Sequence, residues 1–285
     1  MLQSFVLSHL PLRFSHCVAL LELKKETAPP SNAQIAKALH TSGISAHQSW
    51  QLVNLAYQAA EITMRDLQQY KIFAVDYWSE HYPSRLKDLA DPPWVLFYRG
   101  ELPTAAPSLA IVGSRKPNLY GKSVLEEFIP RFDRRPLQII SGLAYGIDAL
   151  AHHFACESQI PNYAVLACGL DTIYPTAHIE LAGRILARGG GIVSEYPPGT
   201  AAFRSHFPRR NRIISGLADV VWVVQGTVKS GSLHTAVHAL EQGRRIIIVP
   251  GDVFDPLSEI PHRLLQDGAQ PIFNPSDVDL IWGST

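Results

Sequence analysis

Cysteine is scarce in this chain and unpaired in pattern. Cys17, Cys156 and Cys168 are scattered, odd in number and never in a CxxC. That argues against a disulfide framework or a zinc knuckle and leads to the expectation of a reducing, cytoplasmic setting. Long hydrophobic runs are missing too: no uninterrupted apolar stretch reaches bilayer length. The N-terminal MLQSFVLSHLPLRFSHCVALL is broken by Pro11, Arg13 and His16 and has neither a basic n-region nor a small-residue cleavage site. A soluble protein without a signal peptide or membrane segment is therefore expected. Charge of one sign is not in excess, since 25 Lys and Arg balance 25 Asp and Glu. A surface coated in positive charge is excluded, while a local basic groove is not. With 285 residues, 46% hydrophobic and 18% charged, the chain can bury a core, which argues against disorder.

Familiar chemical fingerprints are also lacking. No GxGxxG follows the first strand of the apolar pattern, and no GxxxxGK[ST] occurs anywhere. His234 and His238 stand in HTAVH, without the Glu of HExxH, and read as two histidines on a helix face. His152 and His153 are adjacent and do not converge on one metal from a helix. Asp148 and Asp171 read as caps or loop braces. Ser114, Ser141 and Ser230 have no evident His/Asp partner order, although a triad assembled in space stays open. No cofactor and no metal are expected.

What is present divides near residue 105. Before it, Trp50, Val53, Leu55, Tyr57, Ile62, Met64 and Leu67 recur at three and four, which predicts a helix over residues 45–70. Asn32, after Pro29 and Pro30, is the expected N-cap of an earlier helix. Residues 82–103 hold many prolines and aromatics and read as an irregular connection, with a boundary at residues 103–107. These residues give a helical unit over 1–105 and a second unit over 106–285.

From Leu109 the pattern changes to apolar strands at residues 109–112, 137–140, 163–166, 191–193, 219–224 and 245–249, separated by helix-length segments. Such runs imply an α/β fold with a parallel sheet covered on both faces. Ligands then sit outside the carboxyl ends of the strands. Nearly every strand here ends in Gly or Ser: Gly113-Ser114-Arg115, Ser141-Gly142 with Gly146 beyond, and Lys229-Ser230-Gly231-Ser232 among them. Backbone N–H groups and helix N-termini at these ends favour anions. The basic run Phe207-Pro208-Arg209-Arg210-Asn211-Arg212 has no acid near it in sequence. Its first two residues read as a turn, and Ile213-Ile214 as buried. Three guanidiniums repel one another unless an anion lies between them, and their forks match phosphate oxygens.

Taken in order, IVGSR (111–115), YGK (120–122), SGLAYGIDALAH (141–152), CGLDTIYP (168–175), SEYPPGT (194–200), FPRRNRIISGLA (207–218), SGSLHTAVHALEQGR (230–244) and VPG (249–251) resemble the DNA-processing protein A family, DprA or Smf. The resemblance covers roughly residues 82–269. It implies an extended Rossmann-like, doubly wound, mostly parallel sheet, preceded by a small helical domain like a sterile alpha motif. It implies a binding protein rather than an enzyme: one that binds single-stranded DNA, protects incoming strands, and helps load RecA recombinase during natural transformation and recombination, as a homodimer. Carried over by motif, Arg115, Arg210, Asn211 and Arg212 contact phosphates, with Arg209 beside them. Lys229 and the Ser230-Gly231-Ser232 turn add a second anion contact, and Phe207 stacks on or wedges near a base. Tyr145 stands where the family commonly has Arg, and Gln225 where an acid is usual. The chain ends soon after Trp282, so the winged helix of many members is expected to be missing. The alternative is a nucleotide-binding phosphoribohydrolase of a related fold, which would carry PGGxGTxxE where this chain has SGSLHTAVHALEQG.

Overall fold

The computed structural model describes residues 2, 6, 7, 10, 23, 27–134 and 137–277. The readings at Pro11, Arg13, His16, Cys17 and Trp282 fall outside them. Nine strands, β1 (Phe73–Asp76), β2 (Val95–Gly100), β3 (Ser108–Val112), β4 (Gln138–Ser141), β5 (Asn162–Val165), β6 (Gly191–Ser194), β7 (Val220–Val223), β8 (Arg245–Ile248) and β9 (Gln270–Pro271), form one sheet among the described residues. Its order is β1-β2-β6-β5-β4-β3-β7-β8-β9, parallel from β6 to β9 and antiparallel at β1 and β2. The helices are α1 (Asn32–Thr41), α2 (Ala46–Tyr70), the short α3 (Ser84–Lys87), α4 (Leu119–Phe128), α5 (Ile147–Glu157), α6 (Ile179–Ala187), α7 (His206–Gly216), α8 (Ser232–Glu241) and α9 (Glu259–Gln266).

All six strands expected from the apolar runs are present, and the fold is an extended Rossmann-like, doubly wound sheet. Alternate strand residues face opposite sides. Ile111, Ile139, Trp222 and Ile247 pack against α4 and α5, while Val112, Ile140, Val221 and Ile248 pack against α7, α8 and α9. From β3 the chain steps outward to β6, then returns to lay β7 beside β3. That reversal opens a crevice between the ends of β3 and β7, where open α/β sheets bind ligands.

Three local expectations are corrected. The stretch expected to be irregular contains β2, because Val95, Leu96 and Phe97 form a proline-free apolar run that is buried against β1 and β6. The cap of α1 is Ser31, not Asn32: Ser31 has extended backbone, and its hydroxyl accepts from the Gln34 N–H in a capping box. Helix α2 exists as expected, but Trp50, Leu55, Ile62 and Met64 are exposed, and the buried face is Ser49, Val53, Ala56, Ala60 and Thr63. Small side chains let the helix lie close to its neighbours. The first turn of α2 is capped by Ser45.

His152 on α5 is fully buried, with Nδ1 2.9 Å from Asn162 Oδ1 and no partner for Nε2. Burial pushes its pKa down from 6.5 to about 4. Between those values the unfolded chain binds the proton and the folded chain does not. Stability therefore falls as pH drops from 6.5 towards 4, by up to about 1.4 kcal/mol per pH unit. Buried Asp148, whose pKa is raised by desolvation, acts in the opposite sense. Urea melts of the chain and of His152→Gln across this range isolate the histidine: the variant's melts lack this part of the slope.

Candidate functional site

A cavity of about 440 Å³ occupies the crevice between β3 and β7. The loop after β3 contributes Gly113, Ser114, Arg115 and Lys116, the loop after β4 and the start of α5 contribute Ala144 and Asp148, and α7 contributes Phe207, Pro208, Arg210, Asn211 and Ile214. Lys229, Ser230, Gly231, Ser232, His234 and Thr235 close it from the loop after β7 and from α8. Cations among these outnumber Asp148, the one carboxylate, so the field inside is positive although the chain is neutral.

The loops are held by backbone geometry that depends on particular residues. The Ser114 N–H donates to the Gln225 carbonyl at 2.7 Å, which ties the ends of β3 and β7 together. Buried Gln225 also donates through Nε2 to Asn118 Oδ1, the side chain that caps α4. Gln225 thus has a bracing role at this mouth. Gly146 opens α5 at a φ of 78°, with Ser114 and Arg115 backbone where a Cβ would stand. Gly142 lies against the Arg210 guanidinium, 2.7 Å from where its Cβ would be.

Phe207 and Pro208 do not form a turn before the helix; they lie within its first turn, where a proline lacks no needed N–H. This start splits the basic run by direction. Arg210 is buried, and its Nη1 donates to the carbonyls of Gly142, at 2.7 Å, and Val165. Burial lowers its pKa to about 10, against the pull of Asp148, so it stays charged at neutral pH. Asp148 in turn accepts the N–H groups of Gly142 and Ala144. Asn211 accepts from Arg210 Nε at 3.2 Å and donates to the Gly231 carbonyl at 3.2 Å, linking α7 to α8.

Arg209 and Arg212 point elsewhere. Arg212 Nη2 pairs with Glu195 Oε2, and Arg209 Nε lies 3.2 Å from Glu195 Oε1; both approach Asp91 Oδ2 at 3.7 Å. The run has no acid near it in sequence, yet folding brings it two. The anion that relieves part of the guanidinium repulsion is therefore a protein carboxylate.

Of the residues expected at the site, Gly113, Ser114, Arg115, Phe207, Arg210, Asn211, Lys229, Ser230, Gly231 and Ser232 line the cavity, while Ser141, Gly142, Gly146, Arg209 and Arg212 do not. The Ser141 hydroxyl donates to the Ile111 carbonyl at 2.7 Å and braces β4 to β3. Lys116 was missed although it directly follows the Gly-Ser-Arg turn. Glu195 carried no local signal of its partners. Arg115 Cζ and Arg210 Cζ lie 5.5 and 5.8 Å from the Phe207 ring centroid, within reach of its face. Gly231 precedes α8 as its N-cap position and supplies no side-chain cap, and the Ser232 Oγ is buried without a partner. The cavity thus offers exposed cations, an open helix N-terminus and an aromatic ring, a combination suited to an anion attached to a flat apolar group. Among the described residues no three His, Cys, Asp or Glu side chains are grouped to hold a metal, and no helix is long and apolar enough to cross a membrane.

The family model described as DNA recombination-mediator protein A matches residues 73–280. The chain belongs to this family. It is similar to the DNA processing protein DprA of Bacillus subtilis, with 43% identity over 202 residues, 70% of this chain and 68% of that one. The chain spans about two thirds of the length of its curated relatives from B. subtilis and Escherichia coli. Its fold is similar to DNA processing protein A from Streptococcus pneumoniae, at a TM-score of 0.82 and 32% identity, covering 96% of this chain and 95% of the other. It is also similar to DNA processing protein A from Helicobacter pylori, for which a single-stranded DNA binding mode is described, at a TM-score of 0.66 and 29% identity over 73% of this chain and 94% of the other.

Proposed function

We propose that this DprA-family chain binds single-stranded DNA in the crevice between β3 and β7, without sequence readout and without catalysis. The observation that carries this reading is the Arg115 guanidinium 5.5 Å above Phe207 at the mouth of a cavity that Lys229 also lines. Arg115, Lys116, Lys229 and the N-terminus of α8 take phosphates, Phe207 takes a base face, and Arg210 and Asn211 hold the wall. Phosphate neutralisation with stacking gives binding that tolerates any sequence. We assign this binding to residues 106–285 and leave residues 1–105 outside it, since none of their described residues lines the cavity.

In the cell, this reading has the protein act in the cytoplasm, protect incoming strands and help load RecA during natural transformation and recombination. The family's description as a recombination mediator supports that role. The related H. pylori protein supports the choice of single strands. Action as a homodimer is supported by the exposed Val253, Phe254 and Phe273, which light scattering tests.

Fluorescence anisotropy with a labelled oligonucleotide tests the binding. Three phosphate-facing cations predict a slope of log affinity against log salt of about −2 for a single strand. Lys229→Ala should weaken binding equally for all sequences and make that slope shallower by about 0.7. Affinity that ignores salt, or is equal for duplex and single strand, contradicts the proposal. Release of free base from nucleoside monophosphates would instead support the hydrolase alternative.

A further inference from the structure

Phe207 is not the only ring at the mouth of the cavity. Tyr174, in the loop after β5, meets it edge to face with centroids 5.8 Å apart and planes at 63°. Tyr145, in the loop after β4, meets His178 in the same way at 5.0 Å and 64°. His178 closes the loop that carries Tyr174, and its Nδ1 lies 2.8 Å from the Leu143 carbonyl, so the two loops are tied together. On either side of Tyr145, Ala144 lines the cavity and Gly146 packs on the Ser114 and Arg115 backbone. Phe207 and Tyr174 thus lie together at the cavity, and Tyr145 with His178 lies on the adjoining loop, along the carboxyl ends of β5 and β4.

Tyr145 is 50% and Tyr174 49% exposed. Single exposed aromatics are ordinary on protein surfaces. Tyr174 is joined to the cationic cavity through its ring contact with Phe207, and Tyr145 through its chain neighbour Ala144 and the His178–Leu143 tie between the loops. The two tyrosines add no charge, so their complement is a flat, apolar group attached to an anion already held in the cavity.

We infer that Tyr174 and Tyr145, positioned by His178, continue the stacking surface from Phe207, so that a single strand leaving the cavity lays further bases along the loops after β5 and β4. This rests on the proposed single-strand binding and extends it to a second stretch of the strand.

The test uses the full chain and oligo-dT of increasing length in anisotropy titrations. The double variant Tyr145→Ala, Tyr174→Ala should bind long oligomers about tenfold more weakly. It should bind the shortest oligomer the parent can hold as well as the parent does. The double Phe variant should keep parental affinity at every length, and the salt slope should stay unchanged, because no phosphate contact is lost. Melting temperatures verify folding, and if the double Ala variant does not fold, the two single variants carry the same comparison. If long oligomers bind the Ala variant as they bind the parent while Phe207→Ala weakens them, this inference fails and the cavity assignment stands. If the parent shows no preference for single strands, both fail.

Discussion

Replacing Arg210 with alanine should lower the stability of the fold by about 3–5 kcal/mol, the cost of removing one partner from a buried charge network. The guanidinium is buried between α7 and the ends of β4 and β5, where it donates to the Gly142 and Val165 carbonyls and faces the Asp148 carboxylate. Alanine leaves the two carbonyls without this donor and Asp148 without the cation that opposes its raised pKa. The melting temperature should drop by roughly 10 °C. Lysine should not restore it, because a single ammonium cannot reproduce the planar fork that also reaches Asn211. Thermal and urea melts provide the check. A variant as stable as the parent, yet deficient in DNA binding, would make Arg210 a ligand and not a brace.

Arg212→Ala should cost about 3 kcal/mol, near the lower end of the same range because Arg212 keeps slight exposure. Its side chain is 10% exposed and that of Glu195 8%, so the pair is largely out of water. Arg212 Nε and Nη1 have no hydrogen-bond partner, which limits what the pair contributes beyond charge. Without Arg212, Glu195 keeps only the more exposed Arg209 among its ion pairs in the described residues. A double-mutant cycle with Glu195→Ala should therefore recover part of the loss, since neither charge is then stranded. At a temperature where parent and variant are both folded, DNA affinity should stay within about twofold, as expected of a side chain that does not line the cavity. A drop in affinity with a shallower salt slope would return Arg212 to the phosphate contacts that the family resemblance implies.

These two arginines mark the limit of the sequence reading. In sequence, Arg209, Arg210 and Arg212 are equivalent members of one cluster. On α7 their directions diverge, because neighbouring residues on a helix do not share a face. One then reaches back under the sheet, and two meet carboxylates from the loops at residues 91 and 195. Helix α2 teaches the same lesson: its period was legible, but Ala56 and Ala60 face the core where large side chains were expected.

The sequence by itself determined six parallel strands and their places along the chain, the Gly- and Ser-rich turns at their carboxyl ends and the family, because short apolar runs and backbone-permissive turns are local properties of the chain. Only the tertiary structure decided which cations face the cavity, that β2 joins the sheet, and that Tyr174 packs against the ring of Phe207. Those outcomes depend on residues far apart in the chain meeting at one sheet edge, where direction and distance, not composition, set which charges are neutralised and which stay open to a ligand.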